Sequence, residues 1–410
     1  MVAVSNGSNG PAKPANGYDV DEDLARPLQV VIVGGGIGGL SAAIALRRNG
    51  HRVVVLEQWD GANETGAAIH IAPNSNGILR RLGLQPETFG ANAMNRMTEY
   101  GTDGTQIRSL DLQESNKQWQ HPWQLVHRVN LHAELRKAAT SRHAVGIAVD
   151  VRYSCRVASV DPHEPAATLE NGEVVRGDVI IGADGVFSGT RKNVKGGDIR
   201  PFSSGKSAFR FLVDKKEAYL DPTTRPFVER DGELVMWLGP DSKIVAYPCQ
   251  NNELLNFVCI HPSEKTAAPS DDWSSGGSKK SLLDVYAEYD DAAKALLSKA
   301  KAESIKVWQL LDMEELPTWT RDRFALLGDA AHPFLPHQGQ GGGQAIEDAA
   351  ALAVVLPLGT QPTQIAERLS VYEKCRYERA HRIQEYTRLA GKCLAEEGKV
   401  DSRYSPPEGS

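Results

Sequence analysis

The run Val-Val-Ile-Val-Gly-Gly-Gly-Ile-Gly-Gly at residues 30–39 constrains this chain more than any other stretch. Val30–Val33 is apolar and β-branched, as suits a strand buried on both faces. Gly34, Gly36 and Gly39 then fit G-x-G-x-x-G, and Leu40, Ala43, Ile44, Ala45 and Leu46 carry a helical pattern onward. Gly50 is placed to cap that helix, Arg52–Leu56 reads as a second strand, and Glu57 closes the unit. Gly34 permits the tight turn, Gly36 lets a pyrophosphate reach the backbone, and Gly39 lets helix and strand pack closely. The helix N-terminus offers unpaired N–H groups to phosphate, and Glu57 can accept hydrogen bonds from ribose hydroxyls. A glycine-rich turn without a ligand is the plain alternative. Strand, glycines, helix, strand and acid in this order point instead to a dinucleotide site.

The 410 residues suffice for two or three domains' worth of core. A net charge of −6 leaves no basic footprint, which argues against a nucleic-acid partner. No apolar stretch reaches transmembrane length. Residues 1–26 are rich in Ser, Asn, Gly and Pro, which suits a disordered tail, and lack a signal-peptide pattern. Five scattered cysteines, with no C-x-x-C and no Cys/His ligand spacing, predict reduced thiols, a cytoplasmic location and no metal site.

Further along, the small residues Gly66, Ala67 and Ala68 would let backbone lie against a flat ligand. His70 beside them can face a bound ring or simply pack. Ile78–Leu84 reads as a short helix, and Glu99–Leu112 and Gln118–Val126 as strands or excursions. Asn130 suits an N-cap, with Arg128 just before it. Read alone, Arg128 suits a surface ion pair better than a contact with a phosphate or the isoalloxazine side of a cofactor. Arg152–Val160 and Ala167–Leu169 read as strands, and Asn171-Gly172 predicts a hairpin turn. Asp178–Ile181 is a buried strand that ends in Gly-Ala-Asp-Gly, which puts Asp184 at the edge where doubly wound folds bind ligands. Residues 200–262 alternate in short segments and predict a separate antiparallel sheet. Arg210 lies within it, between Phe209 and Phe211, and a charge there must be paired or used. Residues 263–280 read as a polar loop and Ser281–Ala300 as a helix. The strand Arg323–Leu327 runs into Gly-Asp-Ala-Ala-His-Pro, which carries Asp329 and Pro333. A glycine-rich loop with Gly341 and Gly342 then feeds a helix over Ala345–Leu356, with Glu347 and Asp348 in its first turn. A last polar helix spans 363–396, with Arg376, Arg379 and Arg382 on one side.

Three separated motifs therefore stand in order: GGGIGG with Glu57, GADG at 182–185, and GDAAHP at 328–333 followed by GQGGGQ. Together with WQLVHRVNLHAEL at 123–135 they resemble the single-component FAD-dependent aromatic hydroxylases typified by p-hydroxybenzoate hydroxylase. The salicylate hydroxylase-like and fungal secondary-metabolite members are the nearest in pattern. The resemblance covers about residues 28 to 395. It implies an α/β fold, with a Rossmann-like FAD-binding domain, an inserted antiparallel-sheet substrate domain and a C-terminal helix. The implied division is a tail (1–26), the FAD-binding domain (27–200, with an excursion near 99–126), the substrate domain (201–307), a return segment (308–358), the C-terminal helix (359–400) and a tail (401–410).

By that resemblance Gly34, Gly36 and Gly39 hold the FAD pyrophosphate and Glu57 the adenosine ribose. Ala68 lies against the flavin, and Arg128 contacts FAD. Asp184 belongs to the motif used for FAD and NAD(P)H. Asp329 contacts the ribityl and pyrophosphate region, while Pro333, Gly341 and Gly342 border the isoalloxazine ring. The implied reaction is NAD(P)H-dependent monooxygenation through a flavin C4a-hydroperoxide, with O2 and NAD(P)H as transient co-substrates. Such an oxidant needs an electron-rich small aromatic substrate of the phenol, phenolic acid or indole type. Arg210 is then the candidate for fixing a carboxylate or phenolate, and Tyr247 for hydrogen bonding or proton transfer. His332 is a possible proton relay or a residue that shapes its loop. Monomers and homodimers both occur in that family. The rival readings are an FAD-dependent oxidase or reductase of the same fold, and a non-catalytic escort-type binding module.

Overall fold

A computed structural model describes residues 26–61, 66–266 and 277–391. The expected tail at 1–26 except Arg26, the tail at 401–410 and most of the polar loop at 263–280 lie outside the described residues. The chain opens as its glycines require, with β1 (Gln29–Val33), α1 (Ile37–Arg48) and β2 (Arg52–Leu56). β1 pairs in parallel with β2, and Gly50 at φ +93° ends the helix between them. β3 (Ala68–Ile71) follows, then α2 (Pro73–Arg81). α2 begins five residues before the expected Ile78, because Pro73 supplies a preset first turn.

β4 (Asn92–Ala93), β5 (Arg96–Gly101), β6 (Gln106–Asp111) and α3 (Gln113–Gln118) come next, then β7 (Gln124–His127) and α4 (Arg128–Thr140). Asn130 is not the cap of α4, which starts two residues earlier with His127 at the N-cap position. The Asn130 amide instead donates to the Phe89 carbonyl at 3.2 Å. The expected strand over Arg152–Val160 is two strands, β8 (Asp150–Arg152) and β9 (Val157–Asp161). β10 (Ala166–Leu169) and β11 (Val174–Arg176) form the hairpin at Asn171-Gly172, and β12 (Val179–Gly182) returns to the centre.

The second region comprises β13 (Phe202–Asp214), α5 (Lys215–Leu220), β14 (Glu233–Leu238), β15 (Lys243–Cys249) and β16 (Leu254–Pro262). Then come α6 (Lys279–Val285), α7 (Asp291–Ser298) and β17 (Lys306–Asp312). Ser281–Ala300 is thus two helices. Asp290 breaks them by capping α7, its carboxylate accepting from the N–H groups of Ala292 and Ala293. β18 (Thr320–Arg321) and β19 (Phe324–Leu326) lead to α8 (Gly341–Val355) and α9 (Ile365–Gly391). α8 starts at Gly341 rather than Ala345, so its glycines form the first turn and Glu347 and Asp348 lie beyond it.

Two main sheets result. One has six strands in the order β18-β19-β12-β1-β2-β8, parallel through its centre. The other has seven, in the order β17-β13-β16-β15-β14-β5-β6. The segment expected as an excursion of the first region supplies β5 and β6 to the edge of the second sheet, β5 running parallel to β14. β17 also pairs with β13, so the second sheet extends to Asp312, past the expected boundary at 307. In the second sheet Phe209, Phe211, Phe257 and Trp237 face a core with α6 and α7. By strand alternation Arg210, Val258, Val245 and Tyr247 face the other way, towards β3 and the first region.

Arg47, at the end of α1, is almost fully buried. Its guanidinium donates to the carbonyls of Ala138, Ala139, Ser141, Ala144 and Gly146, and so ties α1 to the loop after α4. Arg47→Ala leaves those carbonyls unmet and should cost about 3 kcal/mol or more. A lower thermal midpoint for the variant checks this; an unchanged midpoint contradicts it.

Candidate active site

The glycine loop is shaped by what it touches. Gly34 has φ +105°, and a Cβ there would lie 2.3 Å from the Ala183 carbonyl oxygen. Gly39 is equally confined: a Cβ there would lie 2.0 Å from the Gly34 carbonyl oxygen. Gly36 differs: a Cβ there would meet nothing within 4 Å, so it borders open space at the start of α1. Glu57 accepts from the Gly35 N–H at 2.6 Å and the Trp59 N–H at 2.9 Å. Each oxygen keeps a lone pair for another donor. His132, which the sequence does not single out, fixes the loop from α4 through the Gly35 carbonyl at 2.8 Å.

Asp184 builds its own loop. Its carboxylate accepts from Ser188 Oγ at 2.6 Å, the Thr190 N–H at 2.9 Å and Thr190 Oγ1 at 2.7 Å. Arg191, buried just beyond, joins that loop to the GDAAHP segment. It donates to the carbonyls of Val186, Asp329 and Ala330. Asp329 has its side chain open to solvent while protein surrounds it. That setting pushes its carboxyl up, against the pull of His332, Arg128 and Arg191. A solvent-open carboxylate surrounded by protein, on the side of Gly341 where a Cβ would lie 4.0 Å from its Oδ1 and near Arg128, suits a polyhydroxyl ligand.

Behind this cleft, α8 and α9 hold the loop at 328–338. Asp348 is fully buried and accepts from Arg376 Nε at 2.7 Å and the Gly328 N–H at 2.9 Å. It also bonds His332 Nε2 at 2.7 Å. His332 is itself sealed from solvent and packs on Trp319, so it shapes the loop. Gln384 donates to the Pro333 carbonyl and Thr387 to that of Leu335. The polar face of α9 is therefore a packing face at Arg376. Gly341 and Gly342 begin α8 with no side-chain cap, which leaves first-turn N–H groups available.

The seven-stranded sheet meets β3 on the far side. Tyr247 Oη donates to the Ala68 carbonyl at 2.9 Å, and Asn256 Oδ1 accepts from the Ala68 N–H at 2.9 Å. Both backbone groups of Ala68 are thus held from opposite positions of β15 and β16. The Tyr247 proton is committed to that carbonyl, and burial pushes its phenol pKa up. Of the two expected roles, hydrogen bonding or proton transfer, the contact seen is a hydrogen bond to backbone. Arg210 lies beside it, its guanidinium carbon 4.6 Å from the Trp308 ring centroid. Among the described residues Arg210 forms no hydrogen bond and no ion pair, and its Nε is sealed from solvent. Burial pushes its pKa down, Tyr247 opposes this, and Arg128 adds to it. The wall around it is apolar, formed by Ala208, Val258, Ile260, Leu310 and Leu335.

The residues present therefore fit FAD. Gly36 borders free space at a helix N-terminus, Glu57 and Asp329 offer carboxylate oxygens of the kind that accept from hydroxyls, and the glycines at the start of α8 leave first-turn N–H groups uncapped. The family described as FAD binding domain matches residues 27–387. Hispidin-3-hydroxylase of Neonothopanus nambi is 34% identical over 367 residues, covering 86% of this chain and 86% of its own. 3-Hydroxybenzoate 6-hydroxylase 1 of Aquipseudomonas alcaligenes is 30% identical over 367 residues, covering 88% of each. Among solved structures, a salicylate hydroxylase substrate complex superposes with a TM-score of 0.74 at 25% identity, over 92% of this chain and 91% of its own. With the family model matched from residue 27 to 387 and relatives at 30% identity or more across most of both chains, the chain belongs to the family of FAD-dependent monooxygenases and hydroxylases built on this FAD-binding domain.

Proposed function

We propose that this enzyme inserts one atom of O2 into a small electron-rich aromatic substrate, at the expense of NAD(P)H, with Arg210 holding the substrate's oxyanion. The observation that carries this reading is Arg210 itself. A guanidinium half-buried against apolar side chains, sealed at Nε and without a counter-ion, is costly. It is worth keeping where an anion completes it, and a planar fork suits a carboxylate or phenolate. Phenols, phenolic acids and indoles are the classes to test, with fungal secondary metabolism or aromatic catabolism as the setting. Phenolic acids are favoured by the anion that Arg210 lacks.

FAD, when bound, accepts hydride from NAD(P)H and activates O2. The chain's own residues position and protect. Gly34, Gly36 and Gly39 cradle the pyrophosphate, and Glu57 takes the adenosine ribose. Arg128 and Asp329 take the pyrophosphate and ribityl region. Asp184 shapes the adjoining loop. Ala68, Pro333, Gly341 and Gly342 flank the ring. The first turn of α8 favours negative charge developing beside it. Tyr247 and Asn256 fix Ala68, and the wall from Ala208 to Leu335 keeps water from the reacting oxygen.

Asp329→Ala should weaken FAD binding about tenfold or more, the worth of one or two hydrogen bonds to a charged group. The ratio of flavin to protein absorbance after dialysis reads this directly, and full occupancy would remove Asp329 from the cofactor site. The substrate reading is tested with matched phenols that differ only in an acid group. NAD(P)H oxidation should rise most with the acid-bearing member, and the product should gain one oxygen. No stimulation by either member overturns the anion-holding role of Arg210, and equal stimulation moves its partner from the acid group to the phenolate oxygen.

A further inference from the structure

Successive side chains of β3 point in opposite directions. Ile69 reaches towards Gly342 at the start of α8, whereas Ala68 packs with the apolar residues of the seven-stranded sheet. His70 faces that sheet too, its imidazole edge-on to Tyr247 with ring centroids 4.9 Å apart and 5.8 Å from Trp123. Against its other side lies Gly339, at φ +63°, where a Cβ would come within 2.7 Å of His70 Cγ. The glycine-rich loop is thus built around this imidazole.

The two ring nitrogens differ. Nδ1 is sealed from solvent and has no partner. Nε2 is not sealed, and no described protein atom bonds it. A buried N–H without an acceptor is rarer than an unmet lone pair, which places the proton on Nε2. Burial holds the imidazole down at about 4, so the ring is neutral at ordinary pH. Tyr247 cannot supply the same donor, because its proton goes to Ala68.

We propose that His70 contacts the substrate as a neutral hydrogen-bond donor, its Nε2–H directed at the ring oxygen whose charge Arg210 balances. The proposal rests on the reading of Arg210 given above. It narrows the substrate to aromatics bearing a hydroxyl or enol oxygen on the ring that reacts. No proton changes hands. A second cation at that oxygen would draw away the electron density that the ring needs to attack, whereas a neutral imidazole orients the oxygen and leaves the charge in place.

The test uses the FAD-loaded enzyme and a nitrophenol, whose phenolate absorbs apart from its phenol. Its binding and bound ionisation are titrated for the wild type, His70→Gln, His70→Phe and Arg210→Met. Flavin absorbance reports that each variant keeps its cofactor. Loss of a donor to a charged oxygen should weaken phenolate binding about tenfold in His70→Phe and raise the bound pKa by about one unit. His70→Gln, which keeps a neutral N–H, should stay near the wild type. Wild-type binding between about pH 5 and 8 should follow the ionisation of the nitrophenol alone. Two results overturn the proposal. One is phenolate binding in His70→Phe equal to wild type. The other is a wild-type binding step near pH 6.5 that disappears in both His70 variants, which marks a charged imidazole. If His70→Phe loses its flavin, the Gln variant and the wild-type pH profile decide. Loss in Arg210→Met with no effect at His70 removes this proposal and leaves the Arg210 reading. The converse removes that reading and leaves His70 as an oxygen contact.

Discussion

Replacing Arg210 with Met should make the protein more stable and a much poorer enzyme. Without substrate the guanidinium is a half-buried charge, sealed at Nε, with no counter-ion among the described residues. An apolar side chain of similar length removes that cost, so the thermal midpoint should rise. With substrate the balance reverses. A charge-assisted hydrogen bond contributes about 1.5–3 kcal/mol, which corresponds to roughly a ten- to hundredfold fall in kcat/KM. Arg210→Ala should retain FAD and likewise lose rate, and less product should form per NAD(P)H because a poorly held substrate misses the oxygen. Parallel melting curves and product-to-NAD(P)H ratios check both halves. Full coupling in Arg210→Ala, or a lower midpoint in Arg210→Met, contradicts the role.

Asp348→Ala should do the opposite and damage stability most. Asp348 joins Arg376, His332 and the Gly328 N–H in one fully buried cluster, and Arg376 continues to Glu347 and Gln344. Removing the central carboxylate leaves charge uncompensated, a loss of about 3–5 kcal/mol. The loop at 328–338 should loosen with it, and FAD with the loop. Asp348→Asn keeps the shape and should lose less. The pH dependence follows from the same contacts. Burial pushes the Asp348 carboxyl up, but His332 and Arg376 outweigh it and hold the group below its ordinary range. A depressed carboxyl stabilises the fold above its unfolded pKa of about 3.9, and the gain is lost as pH falls through the lower folded value. Wild type should therefore lose this contribution only below about pH 4. Urea unfolding of both variants across that range checks it. An Asp348→Ala protein with wild-type stability would place the clamp elsewhere.

What was legible in the sequence depended on distance along the chain. The β1–α1–β2 unit is local, and its glycines had to sit where they do, since a Cβ on Gly34 or Gly39 would strike backbone. Arg210 was legible because a charge between two phenylalanines is a local contradiction. Element boundaries failed where a local signal competed. Asn130 looked like a cap but serves the Phe89 carbonyl, and Asp290 splits what periodicity joins into one helix. The placement of β5 in the second sheet and the bonds from Arg191 to the carbonyls of Asp329 and Ala330 join residues more than a hundred positions apart. No periodicity or spacing encodes such pairs. The same holds for Asn256, an ordinary polar residue in an apolar strand until its contact with Ala68 is seen.

The most direct test is a turnover experiment under heavy-isotope O2 with an acid-bearing phenol, counting NAD(P)H consumed, peroxide released and label in the product. The account predicts one labelled oxygen in each product molecule, close to one NAD(P)H per product, and little peroxide. Fast NAD(P)H oxidation without any aromatic compound, ending in peroxide and an unlabelled phenol, would contradict it and favour an oxidase or reductase on the same fold.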